Sequence, residues 1–301
     1  MRRIQWASTA SLFACSVLLL GIAGCSDSTN PGSEGGVPAA EANDIGDAAA
    51  DEVDQSVNAL TVSGAEAGAA VQISAAQSVI GFTPPGTSCA TVDNTTDSDG
   101  DGSPDHATFT FALPACSFTG FRGGTLEITG TIELSDPTPS SSDFAYQATL
   151  TDFQFKFTSP NQTRSYTAVR NGTRALTANA ASASLSNNIT VVRSFTGRAD
   201  GTVSHNTLLT FTAAQGESLA IGQPLPNGTF VKSGTLIWSR NGVSRTFTVT
   251  TVEPLVWDAS CTTDRKIASG EIHWTLADGS YIKTVWTGCG IDPTRTFVPV
   301  S

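Results

Sequence analysis

The chain has 301 residues, 16 of them basic and 27 acidic, for a net charge of −11 at pH 7. An acidic surface repels phosphate, which argues against nucleic acid and anionic headgroups as partners. Only 14% of the residues are charged, and the remainder is rich in Thr, Ser, Gly and Ala, which suits exposed strands and turns and predicts an all-β domain.

At the N-terminus, Arg2 and Arg3 precede an apolar run from Leu12 to Ala23, and the small residues Ala23 and Gly24 stand before Cys25. Residues 1–24 read as a signal peptide, too short to span a bilayer as a helix. Ile22-Ala23-Gly24-Cys25 resembles the lipobox of bacterial lipoproteins, and the residues after it turn abruptly polar (Ser26, Asp27, Ser28). The resemblance implies that Cys25 becomes the lipid-modified first residue and ties the protein to a membrane of the cell envelope. Ser26, where inner-membrane lipoproteins carry Asp, resembles the outer-membrane pattern of Gram-negative bacteria; in a Gram-positive host the same leader implies the outer face of the single membrane. Cleavage removes two bases and no acid, leaving 14 basic against 27 acidic residues and a net charge near −13.

Residues 25–60 read as an acidic low-complexity tether. From 26 to about 46 the chain is Gly, Ser, Pro and Asn with acids and no base, a composition that does not pack. Over 47–60 a short helix is predicted, because Val53, Val57 and Leu60 recur at three and four and Asp47, Asp51 and Glu52 favour a helix start. If residues 26–58 are all unfolded, such a flexible chain reaches roughly 30 Å on average. Residues 61–301 read as a single β-domain.

Asp97-Ser98-Asp99-Gly100-Asp101-Gly102-Ser103-Pro104-Asp105 is the segment whose spacing calls for a ligand. Calcium takes six to eight oxygens, and alternate carboxylates at loop positions one, three and five converge on one ion when glycine at six permits the turn. Asp97, Asp99, Asp101 and Gly102 fill those positions, with the Ser103 carbonyl at seven and Asp105 at nine. The segment resembles the calcium loops of thrombospondin type 3 repeats and, more loosely, of EF-hands. It departs from them at position twelve, where Thr108 replaces a carboxylate; Asp93 and Asn94 are nearby candidates to make up the loss. A structural calcium site is expected, with an affinity on the order of 10⁻⁴ to 10⁻³ M.

Beyond the loop the period is two. Leu126, Ile128, Ile132 and Leu134 share a face that Gly130 interrupts, so a bulge is expected there. Tyr146, Ala148 and Leu150 alternate, and the phase then shifts at Thr151 and Asp152 to Phe153, Phe155 and Phe157, marking another bulge. Val203, His205, Thr207, Leu209 and Phe211 alternate, as do Ile272, Trp274 and Leu276. Asn241-Gly242 and Asp278-Gly279 predict hairpins, and Asn171-Gly172 is a weaker candidate. Roughly ten to twelve strands in an antiparallel meander, curled into a curved sheet, half-barrel or sandwich, are expected.

With Cys15 in the leader and Cys25 lipidated, Cys89, Cys116, Cys261 and Cys289 remain. An even number in an exported protein predicts two disulfides. Of three pairings, Cys89 with Cys116 and Cys261 with Cys289 are favoured because each closes a short local excursion; a zinc site lacks any Cys-x-x-Cys pair or His beside a Cys.

Catalytic signatures are missing from the sequence. The three histidines (His106, His205, His273) accompany neither a Gly-x-Ser-x-Gly elbow nor a His-Glu-x-x-His helix. Glu127 with Glu133, or Glu253 with Asp258, could be paired as glycosidase acids only by chance spacing, and Trp238, Trp257, Trp274 and Trp286 read as core residues. The expectation is a non-catalytic, membrane-anchored lipoprotein whose calcium-stabilised, disulfide-bonded β-domain serves binding or envelope structure, its protein, glycan or lipid partner unidentified. The alternative is a carrier of a lipid or other hydrophobic ligand in a half-barrel cavity. An inner face too sparse to fill itself favours the carrier, and one closed by Phe, Leu and Trp favours the binding module.

Overall fold

The computed structural model describes helical residues at 41, 45, 46, 48, 49, 52, 53, 56 and 57, and the chain from 89 to 300 apart from 95, 120–123, 142, 198–199, 221–222 and 264–265. The leader, Cys25 and Leu60 lie outside the described residues. Thirteen strands form one antiparallel sheet. The first five are β1 (Ala90–Asp93), β2 (His106–Phe111), β3 (Ser117–Thr119), β4 (Thr125–Ser135) and β5 (Ala145–Thr158). The long central strands are β6 (Ser165–Ala178), β7 (Ser182–Phe195), β8 (Gly201–Ala213), β9 (Gly228–Arg240) and β10 (Val243–Trp257), and β11 (Ile267–Leu276), β12 (Tyr281–Trp286) and β13 (Thr294–Val298) close the series.

Apart from β3, which lies against the start of β4 beyond the end of β2, each strand pairs with its neighbour in sequence. The result is the expected meander, and the sheet is open, with β1 and β13 at its edges. Local turn chemistry accounts for much of this order. Asn241 and Gly242 both take positive φ, 52° and 77°, and join β9 to β10 directly, Arg240 opposite Val243, as a primed two-residue turn requires. Asp278-Gly279 also makes its hairpin, but through a longer turn: only Gly279 is left-handed (φ 89°), and Asp278 Oδ1 accepts the Ser280 N–H at 2.9 Å.

Asn171-Gly172 is not a turn. It sits in mid-β6, where Gly172 opposes Ile189 of β7 and the Asn171 side chain accepts the Asp152 N–H at 2.7 Å. Its glycine is needed for packing: with φ at 133°, a Cβ there would come within 2.1 Å of the Asn188 carbonyl. Gly130 is equally constrained, since a Cβ there would come within 2.3 Å of the Asp152 carbonyl. The bulge expected in β5 is present, one extra residue around 151–153 against both β4 and β6, but the one expected in β4 is not: Gly130 is the single residue opposite the β5 bulge. Bulges and glycine kinks of this kind curve a sheet.

The inner face carries the core. Ile128, Phe153, Leu185, Leu209, Phe230, Leu236, Phe247 and Trp274 are buried in it, and Ile45, Ala48, Ala49, Val53 and Val57 of the helix, α1, belong to the same cluster. The helix is therefore part of the domain's core. It also begins earlier than the predicted 47–60, since Glu41, Ile45 and Gly46 are already helical. Each buried Ile or Val of α1 contributes about 1.5–3 kcal/mol on removal from water, enough to dock a segment whose intrinsic helicity is marginal. Gly46 permits the approach, because a side chain there would press on Arg295 and Ile282. Glu41 anchors the start of α1 to Arg245 at 2.9 Å.

Candidate cation-binding loop and the ionic cluster under the helix

The acidic loop is the connection between β1 and β2. Its base is closed by the Asp105 N–H donating to the Thr96 carbonyl at 2.8 Å, and the Cys89–Cys116 disulfide brackets it. Within it, Asp97 accepts the N–H groups of Gly100 and Gly102 at 2.8 and 3.1 Å. Asp99 accepts from Asp101 at 3.2 Å and Asp101 from Ser103 at 2.6 Å. Gly100 and Gly102 have φ of 75° and 93°, which explains glycine at both positions.

These turns bring carboxylate oxygens of Asp97, Asp99 and Asp101 within 4.8 Å of one another. Asp99 Oδ2 is buried without a hydrogen-bond partner, and so is the Ser103 hydroxyl. Orphaned buried oxygens beside clustered carboxylates are what a hard cation would satisfy. Burial, together with Asp99 and Asp136, pushes the Asp101 carboxyl up to about 6, against the hydrogen bonds from Ser103 and Ala145. Asp101, Ser103 and Asp97 would thus hold calcium together with Asp99.

Asp105 does not join the cluster: Ser98 donates its N–H to Oδ1 at 2.9 Å and its hydroxyl to Oδ2 at 2.5 Å. Nor do the neighbours expected to make up for Thr108. Asp93 accepts the Thr108 N–H at 2.8 Å, and Asn94 accepts from Thr96.

The second site was not foreseen. Arg174, Asn187 and Thr207 stand side by side on β6, β7 and β8, in register, and Gly234 continues the row on β9. Glu52 of α1 descends onto it. Its Oε1 accepts from Ser56 at 2.9 Å, Asn187 at 3.3 Å and Thr207 at 3.1 Å, while Oε2 lies 2.5 Å from Lys232 Nζ. Lys232 is fully buried. Burial alone would raise Glu52, but Lys232 and His205, with hydrogen bonds from Lys232 and Ser56, hold it down at about 2. Burial pulls Lys232 down from its usual value against the attraction of Glu52, and brings His205 to about 4 in spite of that same carboxylate. The sequence signal was Lys232 at an inward position between Phe230 and Leu236, where a lysine requires a partner.

The other expectations resolve simply. Both disulfides pair as favoured, Cys89 with Cys116 and Cys261 with Cys289. The latter two lie near Asp258, but a disulfide offers no thiolate to a metal. His106 is exposed, and His273 faces Glu271 at 2.6 Å and stacks on Tyr281. Glu127 is paired with Lys156. Trp238, Trp257, Trp274 and Trp286 are buried, not surface platforms.

Fold and site together define an all-β protein: an open antiparallel meander packed around its own N-terminal helix, with an acidic loop tied down by a disulfide. No protein-family model, curated protein or solved structure matches the chain.

Proposed function

We propose that the protein is an exported lipoprotein, anchored through lipid on Cys25 at the cell envelope, whose β-domain is stabilised by calcium and acts without catalysis as a binding or structural module. The observation that carries this reading over a carrier is the occupation of the inner face. Side chains such as Phe211, Phe230 and Trp257, in mutual contact, and the helix residues Ile45, Val53 and Val57 take the place a cargo would need. The apolar cleft between Phe144, Leu176, Leu219 and Leu225 has a volume of about 180 Å³, below the roughly 300–1,000 Å³ of sites that enclose drug-sized ligands. Calcium binding rests on the three converging carboxylates and the orphaned oxygens beside them.

Native mass spectrometry of the full chain, produced by export so that its disulfides form, tests the reading. A calcium adduct lost to chelator, with no further ligand, is expected. A co-purified mass of lipid size would replace the module with the carrier, and absence of any calcium adduct would refute the metal site.

A further inference from the structure

We propose that Asp136, from the loop after β4, supplies the charge that position twelve lacks and completes the calcium site; this rests on the calcium reading above. Three observations converge on it. First, strand pairing delivers it: His106 pairs with Ser135, and the Asp136 N–H donates to the carbonyl of Asp105, loop position nine, at 3.3 Å. Second, the far end of the loop that follows Asp136 is tied to the acidic loop, since the N–H of Ala145, the first residue of β5, donates to Asp101 Oδ2 at 3.2 Å. Third, Asp136 is only 7% exposed, and its Oδ2 is buried with no hydrogen-bond partner, although Oδ1 accepts the Thr138 N–H at 2.7 Å.

A buried carboxylate oxygen without a donor is costly unless a cation offsets it. The cation available by geometry is the one bound by Asp97, Asp99 and Asp101, because the backbone bond of Asp136 to Asp105 and that of Ala145 to Asp101 hold both ends of the Asp136 loop against the acidic loop. Asp136 stands outside the 4.8 Å group those three form, so it acts as the outer anion of the site, reaching the ion through a bound water as position-nine residues of calcium loops often do. The sequence position of this fourth carboxylate explains how a loop with Thr108 at position twelve retains a calcium site. The ligand is recruited from a neighbouring strand end and not from the loop itself.

Calcium titration calorimetry on the full chain in detergent tests this, comparing the wild type with Asp136→Asn, Asp93→Asn and the double variant Asp99→Asn/Asp101→Asn. Asn at 136 keeps the Oδ1 acceptor for Thr138, so the loop retains its turn; unchanged far-UV circular dichroism and melting in chelator check this. The proposal expects Asp136→Asn to weaken calcium at least tenfold, Asp93→Asn to change it less than twofold, and the double variant to abolish it. Loss in the double variant with Asp136→Asn within twofold of wild type overturns the role of Asp136 and leaves the calcium loop standing. No binding by the wild type up to about 5 mM, several times the weakest affinity of extracellular calcium modules, or binding that survives the double variant, overturns the calcium reading itself.

Discussion

Glu52 on the helix and Lys232 in the middle of β9 form a buried ion pair, Oε2 to Nζ at 2.5 Å, at the centre of the domain's inner face. Such a pair contributes little net stability relative to apolar residues of the same size, because desolvation offsets attraction, but breaking it leaves a buried charge. Its value here is positional: it specifies where α1 lies along the sheet, since any shift of the helix by one turn would strand both charges.

Replacing one partner is therefore expected to be far worse than replacing both. Glu52→Gln or Lys232→Met should each lower stability by about 3–5 kcal/mol, while the double variant should recover most of that loss. Urea unfolding followed by circular dichroism measures the coupling, and additive single costs would mean that the pair is not linked.

Acid should loosen the helix from the sheet. His205, at about 4 in the folded protein against 6.5 unfolded, is held neutral, so its contribution is present above 6.5 and is lost as pH falls to 4. Glu52, near 2 against 4.5, adds a second loss from 4.5 downwards. Asp101, raised to about 6, acts in the opposite sense between 6 and 3.8, so the comparison is between the wild type and His205→Asn. The groups that act on His205 are Glu52, Lys232, Arg193 and Arg170, and Glu52, held at about 2 in the folded protein, stays ionised across the His205 window. Melting temperatures between pH 7.5 and 4 should fall more steeply for the wild type; parallel curves would show that His205 does not carry the loss.

Gly172 is predicted to tolerate no side chain. Alanine there meets the Asn188 carbonyl at 2.1 Å with φ at 133°, and a loss of at least about 2 kcal/mol is expected from strain and displacement together. Gly216, with φ at 85° and open space around it, provides the contrast: Gly216→Ala should cost only about 1 kcal/mol, the penalty of a left-handed backbone. Equal costs in denaturant titrations would remove the case for a packing role at Gly172.

Removing the Cys89–Cys116 bridge by Cys89→Ser/Cys116→Ser should destabilise the domain by about 3–4 kcal/mol on the chain-entropy account. It should also weaken calcium, because the bridge limits the freedom of the acidic loop between its ends. Calcium affinity unchanged by the double substitution would show that β1 and β2 order the loop by themselves.

Cys25→Ser is expected to move the protein from the membrane to the soluble fraction of the envelope, since one anchor is removed and no other is proposed. Retention on membranes after that change would refute lipid attachment at Cys25.

What could be read from the residues in order was whatever depends on near neighbours. Period-two alternation located the strands, Asn241-Gly242 and Asp278-Gly279 marked turns, the phase slip at Thr151 and Asp152 marked a bulge, and the Asp-x-Asp-x-Asp-Gly spacing marked the acidic loop, because backbone geometry over a few residues limits each of these. The tertiary structure decided matters that depend on which strands lie side by side and how the sheet bends. Asn171-Gly172 became the middle of β6 because a close crossing with β7 needs a glycine as much as a turn does. Asp105 turned its side chain to Ser98, and Asp136 came to hydrogen-bond the Asp105 carbonyl, because pairing of β2 with β4 brings the end of one strand to the loop of another. Glu52, read along the chain as an acid favouring a helix start, became the buried partner of Lys232 only when β6 to β9 aligned Arg174, Asn187 and Thr207 beneath it: the free energy of a buried charge is set by what surrounds it in space, and the local sequence does not encode that.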